Sequence, residues 1–425
     1  MNQKQPELRT AKRIGILGGA FDPIHYGHLT AAECARCEKN LDFVLFIPTG
    51  TPPHKGNITY NQHRYMMTLL ATADNPYFYT SRMELDRPGP SYTVDTLRIL
   101  KESTDGELFF IVGADEMLQL SAWKNSHLLP GLCNWIAVTR PGYENEKIEE
   151  ALKIPGLEIS GTDLRARIKS KQPVKYLVTK EVERYINDLG LYGGYEVSHE
   201  KVSYEEIHKA VAGKLSQERY KHTLGVLETA ILLAARHNIN LRKTYLAALL
   251  HDYAKELDEE EKRARCKEFN IQLDPIQERY INLTHGQLGA ELARQEFNIQ
   301  DQEILSAISY HTTGRPGMGT LERIIKIADN IEPNRREFDY TPDVRADKSE
   351  AEERPNTENK PNSGDKPDSE KILSMEAIRS LSSVNLDKAC AAAIRRDIEY
   401  TIKKGHAVHP RGLEALKDLE NRFGK

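Results

Sequence analysis

The 425-residue chain is poor in cysteine, in aromatic residues and in long apolar stretches. Its five cysteines are too few and too scattered for a disulfide scaffold, and they favour a reducing compartment. The longest apolar stretch lies near Tyr245–Leu250, far short of the roughly 20 residues that cross a bilayer. Residues Met1–Lys12 lack the apolar segment of a signal peptide. We therefore expect a soluble, cytoplasmic protein without a membrane partner.

An excess of one charge sign is also lacking. The 59 Lys and Arg residues are balanced by 63 Asp and Glu residues, for a net charge of -4. Since no strong positive field is available to attract phosphate backbones, we expect no nucleic-acid partner. Hydrophobic residues make up 39% and charged residues 29% of the chain, an ordinary balance for a globular protein. The length predicts two or three domains.

The first 190 residues alternate between two kinds of pattern. Apolar runs rich in β-branched and aromatic residues predict strands at Arg13–Leu17, Phe43–Ile47, Leu108–Val112 and Trp135–Thr139. Helical spacing lies between them at His28–Lys39, His63–Ala73 and Thr93–Lys101. This alternation predicts an α/β domain with a parallel sheet flanked by helices over residues 12–192.

The second half has a different texture and predicts an all-α domain over residues 203–422. Apolar residues recur at helical spacing, and no alternating strand pattern follows residue 200. The boundary is expected in Leu191–Lys201, and each half should form a core of its own. Residues 346–371 contain no Val, Ile, Leu, Met or aromatic side chain, so we expect a disordered insertion. A tolerated surface insertion and a regulatory or docking segment both remain open for it.

A glycine-rich turn follows the first predicted strand and leads into a helix. It reads Gly18-Gly19-Ala20-Phe21-Asp22-Pro23-Ile24-His25-Tyr26-Gly27-His28. Paired glycines let a ligand approach the backbone closely, and a helix N-terminus attracts anions. Imidazoles three residues apart at the mouth of that helix suit a triphosphate. The spacing therefore predicts a site for nucleotide phosphates.

This turn resembles that of the HxGH nucleotidyltransferase superfamily. Further segments resemble bacterial nicotinate-mononucleotide adenylyltransferase over residues 12–192, namely Pro48–Lys55, Ser91–Thr96, Phe110–Asp115, Thr139–Gly142 and Ile159–Arg165. The resemblance implies a Rossmann-like domain that joins AMP from ATP to nicotinate mononucleotide, giving deamido-NAD and pyrophosphate. Residue types alone do not predict whether nicotinate or nicotinamide mononucleotide is the substrate. The two differ by a carboxylate in place of an amide, and a few hydrogen-bond donors in the pocket discriminate between them.

The resemblance also implies roles for individual residues. His25, His28, Lys55 and Arg165 would stabilise charge on the reacting phosphates, with Mg²⁺ arriving on ATP. The implied ATP site comprises Gly18, Gly19, Ala20, Phe21, His28, Gly113, Asp115, Ile159, Ser160, Thr162 and Arg165. Tyr92, Thr93 and Trp123 would bind the nicotinate nucleotide, with Trp123 stacking on the pyridine ring. Gly161 and Asp163 depart from the family pattern, and we expect Asp163 to cap the last helix.

Histidines and aspartates recur around helix ends in the second half. Imidazoles and carboxylates on separate helices can converge on one cation in a bundle core. The segments that carry them are Tyr220–Val226, Leu250–Lys255, Thr284–Gly286, Tyr310–Arg315 and Ala328–Arg335. Their spacing predicts a metal site, and their wording resembles the HD phosphohydrolase superfamily. The closer similarity is to bacterial HD enzymes that split diadenosine tetraphosphate symmetrically into two ADP.

The second resemblance implies a metal site and a phosphate site. His222, His251, Asp252 and Asp329 would bind iron or another divalent metal that activates the attacking water. His285 and His311 would hold a second metal or a substrate phosphate, and Arg219 and Arg335 would grip the phosphates of ADP. Two alternatives stay open: the helical half acts on another nucleotide, or it is a nucleotide-binding regulatory module without chemistry.

Overall fold

The computed structural model describes residues 8–53, 56, 58–139, 151–155, 158–193, 203–335 and 372–423. The expected insertion at 346–371, the position of Lys55 and most of the expected domain boundary lie outside these residues. Along the described parts of the chain, no helix combines the length and the apolar character needed to cross a membrane.

The described residues of the first half form a parallel sheet with helices on both faces. The strands are β1 (Arg13–Gly19), β2 (Phe43–Pro48), β3 (Phe78–Thr80), β4 (Glu107–Gly113), β5 (Asn134–Thr139) and β6 (Leu152–Lys153). The helices are α1 (Tyr26–Glu38), α2 (Asn61–Thr72), α3 (Thr93–Ser103), α4 (Ala114–Met117), α5 (Gly161–Lys169) and α6 (Lys180–Leu189). The strand order is β3-β2-β1-β4-β5-β6, with every pairing parallel. The expected α/β domain is confirmed, and β3 and β6 are additions to it.

Alternation along the central strands places side chains on the two faces of this sheet. Ile14 and Ile16 of β1 pack with Val94 and Leu97 of α3 in one apolar cluster. Leu17 joins a second cluster on the opposite face, formed with α1, α2 and α6. Because both faces are covered, the strands are apolar almost throughout, as is usual for parallel sheets.

The described residues of the second half are helical. The helices are α7 (Tyr204–Lys214), α8 (Gln217–Arg236), α9 (Leu241–Leu250), α10 (Glu259–Glu268), α11 (Pro275–Arg279), α12 (His285–Phe297), α13 (Gln302–Tyr310), α14 (Thr320–Ile331), α15 (Met375–Ser382), α16 (Leu386–Lys403) and α17 (Pro410–Phe423). The run Tyr245–Leu250 of α9 is fully buried. This helix packs against α8, α13 and α14, which is why the run Tyr245–Leu250 is apolar without interruption.

The two halves share one apolar core, contrary to the expectation of a separate core for each. The cluster that covers one face of the sheet continues from α2 and α6 into α8 and α9. We call its polar part the interdomain seam: His63, Tyr185, His208, Tyr245 and the ion pair of Arg82 with Glu228. The ion pair of Arg82 with Glu228 crosses the seam, whereas each of the two imidazoles bonds to a tyrosine of its own half. The sequence pattern did not reveal this, because an apolar helix face reads the same whichever domain it packs against.

Within the seam, two imidazoles are hydrogen-bonded to tyrosine hydroxyls. His63 Nδ1 lies 2.9 Å from the hydroxyl of Tyr185, and His208 Nε2 lies 2.7 Å from that of Tyr245. The rings of His63 and Tyr245 are 5.4 Å apart across the domain boundary. Burial lowers the pKa of His63 and of His208 to about 3, so both imidazoles are neutral near pH 7.

Candidate functional site

The first candidate site lies where β1 ends and α1 begins. His25 is the N-cap residue of α1, and its backbone N–H donates to Nδ1 of His28 at 3.3 Å. The two imidazole rings stack with their centroids 3.7 Å apart. A Cβ on Gly27 would lie 3.0 Å from Nδ1 of His25, so the glycine makes room for that ring. The HxGH spacing therefore packs both imidazoles together at a helix N-terminus.

Arg165 reaches this site from the far end of the domain. Its Nη1 donates to the backbone oxygen of Asp22 at 2.6 Å, and its Nη2 donates to the hydroxyl of Thr162 at 3.2 Å. A Cβ on Gly161 would lie 2.9 Å from the same Asp22 oxygen and 3.3 Å from Nη1 of Arg165. Glycine at 161, a departure from the family pattern, is thus what lets α5 approach the turn.

The cap of α5 differs from the expectation for Asp163. Ser160 caps the helix, since its side chain accepts a hydrogen bond from the backbone N–H of Asp163 at 3.1 Å. Asp163 forms an exposed ion pair with Arg167 one turn later, 2.8 Å apart. The N-cap position precedes the first helical residue, and Asp163 is already inside the helix. Its carboxylate nevertheless pairs with Arg167 rather than with Arg165, the arginine that contacts the turn.

One cavity of about 1370 Å³ is lined by every residue of the implied ATP site. Its lining includes the following residues named from the sequence: Gly18, Gly19, Ala20, Phe21, His25, His28, Gly113, Asp115, Ile159, Ser160, Thr162 and Arg165. Gly113 is the last residue of β4 and Asp115 follows two residues later, at the carboxyl edge where open parallel sheets bind ligands. A Cβ on Gly113 would lie only 2.6 Å from the Asp115 carboxylate, which folds back over it.

The residues implied to bind the nicotinate nucleotide, Tyr92, Thr93 and Trp123, are not among the residues that line this cavity. Trp123 packs against Phe110 and Trp135, with ring centroids 6.3 Å from each. Tyr92 is the N-cap residue of α3 and carries Lys124 Nζ 4.0 Å above its ring. Both aromatics are partly exposed at the edge of the apolar cluster under α3. Stacking of Trp123 on a pyridine ring therefore stays a prediction.

The second candidate site is built around the carboxylate of Asp252, which is 3% exposed. Imidazoles from four helices point their Nε2 atoms at it. The distances from Nε2 to a carboxylate oxygen are 3.9 Å for His222, 3.6 Å for His251, 3.3 Å for His285 and 3.5 Å for His311. The six residues named from the sequence are thus brought together, with Asp329 Oδ1 lying 3.2 Å from Nε2 of His222.

Close helix packing produces this convergence. Gly286, in the first turn of α12, would place a Cβ 2.7 Å from the backbone oxygen of Ser309 in α13. The glycine therefore lets the start of α12 meet the end of α13. As a result Nε2 of His285 and Nε2 of His311 are 3.1 Å apart, and the hydroxyl of Thr312 lies 3.1 Å from each.

The donor set fits a divalent cation. Among the described residues, Nε2 of His222 and Nε2 of His251 are buried without a hydrogen-bond partner. Two groups of three residues have ligand atoms within 4.8 Å of one another. One group is His222, His251 and Asp329, and the other is His251, Asp252 and His311. Orphaned imidazole nitrogens facing carboxylates are the ligands that iron, manganese and zinc accept. The arrangement can therefore hold a cation between the ends of α9, α13 and α14.

Burial and neighbouring charges shift the pKa values of the groups at this site. Burial lowers the pKa of His251 to about 4 and that of His285 to about 3, the latter helped by the ammonium of Lys255. Burial also opposes a charge on His222, but Asp329 and Glu332 outweigh it and raise the pKa of His222 to about 9. The pKa of Asp252 is held well below its ordinary value, because His251 and the bonds with His285 and His311 overcome its burial.

The two arginines named from the sequence contact the carboxylates of this site. Arg219 Nη1 lies 3.1 Å from Asp252, and Arg335 Nη1 lies 2.8 Å from Asp329. Both line a cavity of about 830 Å³, together with Lys255. Their expected contact with substrate phosphates stays a prediction, while their contact with the ligand carboxylates is direct.

Comparison with known proteins matches a family model to each half of the chain. A cytidylyltransferase-like family model matches residues 16–167, and an HD-domain model matches residues 219–334. A relative from Thermoanaerobacter sp. strain X514, named "Probable nicotinate-nucleotide adenylyltransferase", is 46% identical over 198 residues. That match covers 42% of this chain and 94% of the relative. The chain belongs to the nicotinate-nucleotide adenylyltransferase family. The match includes the N-terminal half alone, which we call the adenylyltransferase domain.

Other similarities cover each half in turn. A protein of the same name from Moorella thermoacetica is 48% identical, over 42% of this chain and 91% of its own length. A crystal structure of a predicted HD superfamily hydrolase involved in NAD metabolism, from Clostridium acetobutylicum, is 32% identical. It covers 52% of this chain and 98% of its own, with a TM-score of 0.42. The helical half, which contains the matched HD model, is called the HD domain below.

Sequence reasoning missed two residues that hold these sites together. Arg64 of the adenylyltransferase domain is fully buried and donates to backbone oxygens in two segments: the glycine-rich turn at residues 18–28, which we call the phosphate turn, and the segment after β2. Glu332 of the HD domain accepts from Nδ1 of His222 at 3.1 Å. The one available signal for Glu332 was its place three residues after Asp329, directly after the end of α14. A cation among the apolar residues of α2 was the corresponding signal for Arg64.

Proposed function

We propose that the chain is a bifunctional nucleotide enzyme. Its adenylyltransferase domain joins nicotinate mononucleotide to the AMP of ATP, giving deamido-NAD and pyrophosphate. Its HD domain hydrolyses diadenosine tetraphosphate to two ADP with the help of a divalent metal. The observation that supports the first activity most is the stacked pair His25 and His28 at the N-terminus of α1, in a cavity that also contains Arg165. The second is supported by the orphaned imidazole nitrogens that surround Asp252.

Adenylyl transfer needs charge stabilisation more than covalent help. The attacking phosphate oxygen of nicotinate mononucleotide carries no proton to remove, so no general base is required. A phosphate–phosphate bond forms at the α-phosphorus of ATP while the bond to pyrophosphate breaks. Negative charge moves onto the leaving oxygen, where His25, His28 and the N-terminus of α1 would stabilise it. Arg165, held by Asp22 and Thr162, would orient the distal phosphates.

In the HD domain the protein would position a polyphosphate over the ligand set. His222, His251, Asp252 and Asp329 would hold the cation, whose charge activates water and polarises the scissile phosphate when bound. His285 and His311 would contact a second cation or a phosphate oxygen, with Lys255 Nζ 3.4 Å from Nε2 of His285. Arg219 and Arg335 keep the two carboxylates oriented and add positive charge at the cavity wall.

A product screen of the full-length chain tests both activities. One arm supplies ATP and Mg²⁺ with nicotinate mononucleotide or nicotinamide mononucleotide, and chromatography identifies the dinucleotide. The other arm supplies diadenosine tetraphosphate with Fe²⁺, Mn²⁺ or Mg²⁺, beside nucleoside monophosphates and an alarmone. We expect deamido-NAD in the first arm and ADP alone in the second. Formation of ATP and AMP would contradict symmetrical cleavage. Absence of hydrolysis of every nucleotide with every metal would favour a regulatory module.

A further inference from the structure

The Nδ1 atom of His222 has a different kind of hydrogen-bond partner from the Nδ1 atoms of the other three imidazoles of the HD site. In each of those, Nδ1 donates to the backbone oxygen three residues earlier. The distances are 2.8 Å for His251 to Ala248, 2.6 Å for His285 to Asn282 and 2.7 Å for His311 to Ile308. His222 lies inside α8, where the nearby backbone oxygens serve the helix. Its Nδ1 instead lies 3.1 Å from Oε1 of Glu332.

This contact determines which nitrogen of His222 carries the proton. A ligating imidazole is neutral and carries a single N–H. Since a carboxylate oxygen accepts, that N–H is Nδ1, and Nε2 offers its lone pair to the cation. Asp329 Oδ1 lies 3.2 Å from that Nε2. The imidazole is therefore held between two carboxylates from the end of α14, one on each ring nitrogen.

Glu332 is itself held in place on several sides. It is 1% exposed, and its Oε2 accepts from the backbone N–H of Asn334 at 2.6 Å. Its backbone oxygen accepts from Arg379 of α15 at 3.3 Å. A buried carboxylate with this many fixed contacts has little freedom to rotate, so it can hold the imidazole in one orientation.

Gly225 provides the space that this carboxylate occupies. It lies one turn after His222 in the 20-residue helix α8, where glycine is less favourable than alanine by about 1 kcal/mol. A Cβ at this position would overlap Oε2 of Glu332 and lie 3.1 Å from its Cδ. The bare backbone is therefore what allows Glu332 to reach His222.

We propose that Glu332 is a positioning residue for the metal site, and that Gly225, which lacks a side chain, leaves the space that its carboxylate occupies. Glu332 fixes the tautomer and the rotation of His222 so that Nε2 faces the cation. This inference rests on the cation-binding part of the proposed function and is independent of the substrate. Partners of metal-ligating histidines typically contribute about 10- to 100-fold to metal affinity.

Titration of the full-length chain with Mn²⁺ alone, followed by calorimetry, tests the proposal. We expect Glu332→Gln and Gly225→Ala to weaken Mn²⁺ binding by about 10- to 100-fold each. The matched control is Glu322→Gln, since Glu322 is a buried carboxylate of α14 paired with Arg315 and not with a ligand. It should leave the Mn²⁺ affinity within about threefold of wild type. Adenylyl transfer by each variant reports that the chain has folded.

A double variant separates positioning from general damage. If both substitutions act through one contact, Glu332→Gln with Gly225→Ala should bind Mn²⁺ about as well as the weaker single variant. Wild-type affinity in Glu332→Gln, additive losses in the double variant, or an equal loss in Glu322→Gln would each overturn the inference. Should Gly225→Ala not fold, Glu332→Gln against its control decides alone. A wild-type chain that binds no Mn²⁺ would refute the metal site itself, which is a distinguishable failure.

Discussion

Arg64 should be the most costly single substitution in the adenylyltransferase domain. Its guanidinium is fully buried and donates to four backbone oxygens. The acceptors and distances are Ala20 at 2.7 Å, Thr49 at 2.6 Å, Gly50 at 3.1 Å and Thr59 at 2.9 Å. These oxygens belong to the phosphate turn after β1 and to the segment after β2. Arg64→Met fills most of the space but removes all four donors.

The magnitude follows from the acceptors that are left behind. A buried polar group without a partner costs about 1–3 kcal/mol. With four carbonyls and some water entry, the low end of this range applies, and we expect a loss of roughly 4 kcal/mol in the free energy of unfolding. Arg64→Lys should lose less, because an ammonium keeps the charge and three donors. Since Ala20 lines the phosphate turn, the KM for ATP should also rise in Arg64→Met.

The chain offers a domain-specific probe for this measurement. Its two tryptophans, Trp123 and Trp135, both lie in the adenylyltransferase domain. Urea titration followed by their fluorescence therefore reports unfolding of this domain. With a denaturant slope near 2 kcal/mol per molar, the midpoint should fall by roughly 2 M.

The matched control for Arg64→Met is Arg167→Met, which removes an exposed ion pair with Asp163 and should cost at most about 1 kcal/mol. A midpoint shift for Arg64→Met no larger than that of the control, with an unchanged KM for ATP, would refute the reasoning.

Three further predictions concern the two sites and the seam. His28→Ala should lower adenylyl transfer by about 100- to 1000-fold in a turnover assay and leave tetraphosphate hydrolysis near wild type; a loss of only a few-fold would contradict its assignment. Asp252→Ala should release the metal and abolish hydrolysis, measured by elemental analysis and product assay, while adenylyl transfer persists. Because folding lowers the pKa of His63 and His208 to about 3, the unfolded chain binds more protons below pH 6.5. The contribution of these two imidazoles to stability should then fall by at most roughly 3 kcal/mol per pH unit between pH 6 and pH 4, and His63→Gln with His208→Gln should flatten that slope.

Long, strongly patterned elements of the adenylyltransferase domain were predictable from the sequence. The expected strand at Arg13–Leu17 is observed as Arg13–Gly19, and that at Phe43–Ile47 as Phe43–Pro48. The strands Phe78–Thr80 and Leu152–Lys153 were missed, since two or three residues carry no readable period. Such short strands exist because a neighbouring edge offers hydrogen-bond partners, as β2 does for Phe78–Thr80.

The candidate sites were predictable as residue types and not as geometry. Spacing along the chain identified His25 and His28, and it identified the histidines and aspartates that converge on Asp252. It could not show that Arg219 bonds to Asp252, or that Glu332 selects the tautomer of His222. Such contacts join residues 33 and 110 positions apart, and a local pattern carries no record of them.

The sequence by itself determined the order of the two domains and the positions of the phosphate turn and of the candidate metal ligands, because each is encoded in local periodicity or in short motifs. Tertiary structure alone decided how the two domains meet. The ion pair of Arg82 with Glu228 and the ring contact of His63 with Tyr245 exist because α2 and α6 pack against α8 and α9. An apolar helix face indicates that the helix will be buried. Which helix or strand it packs against depends on the shape of the neighbouring elements.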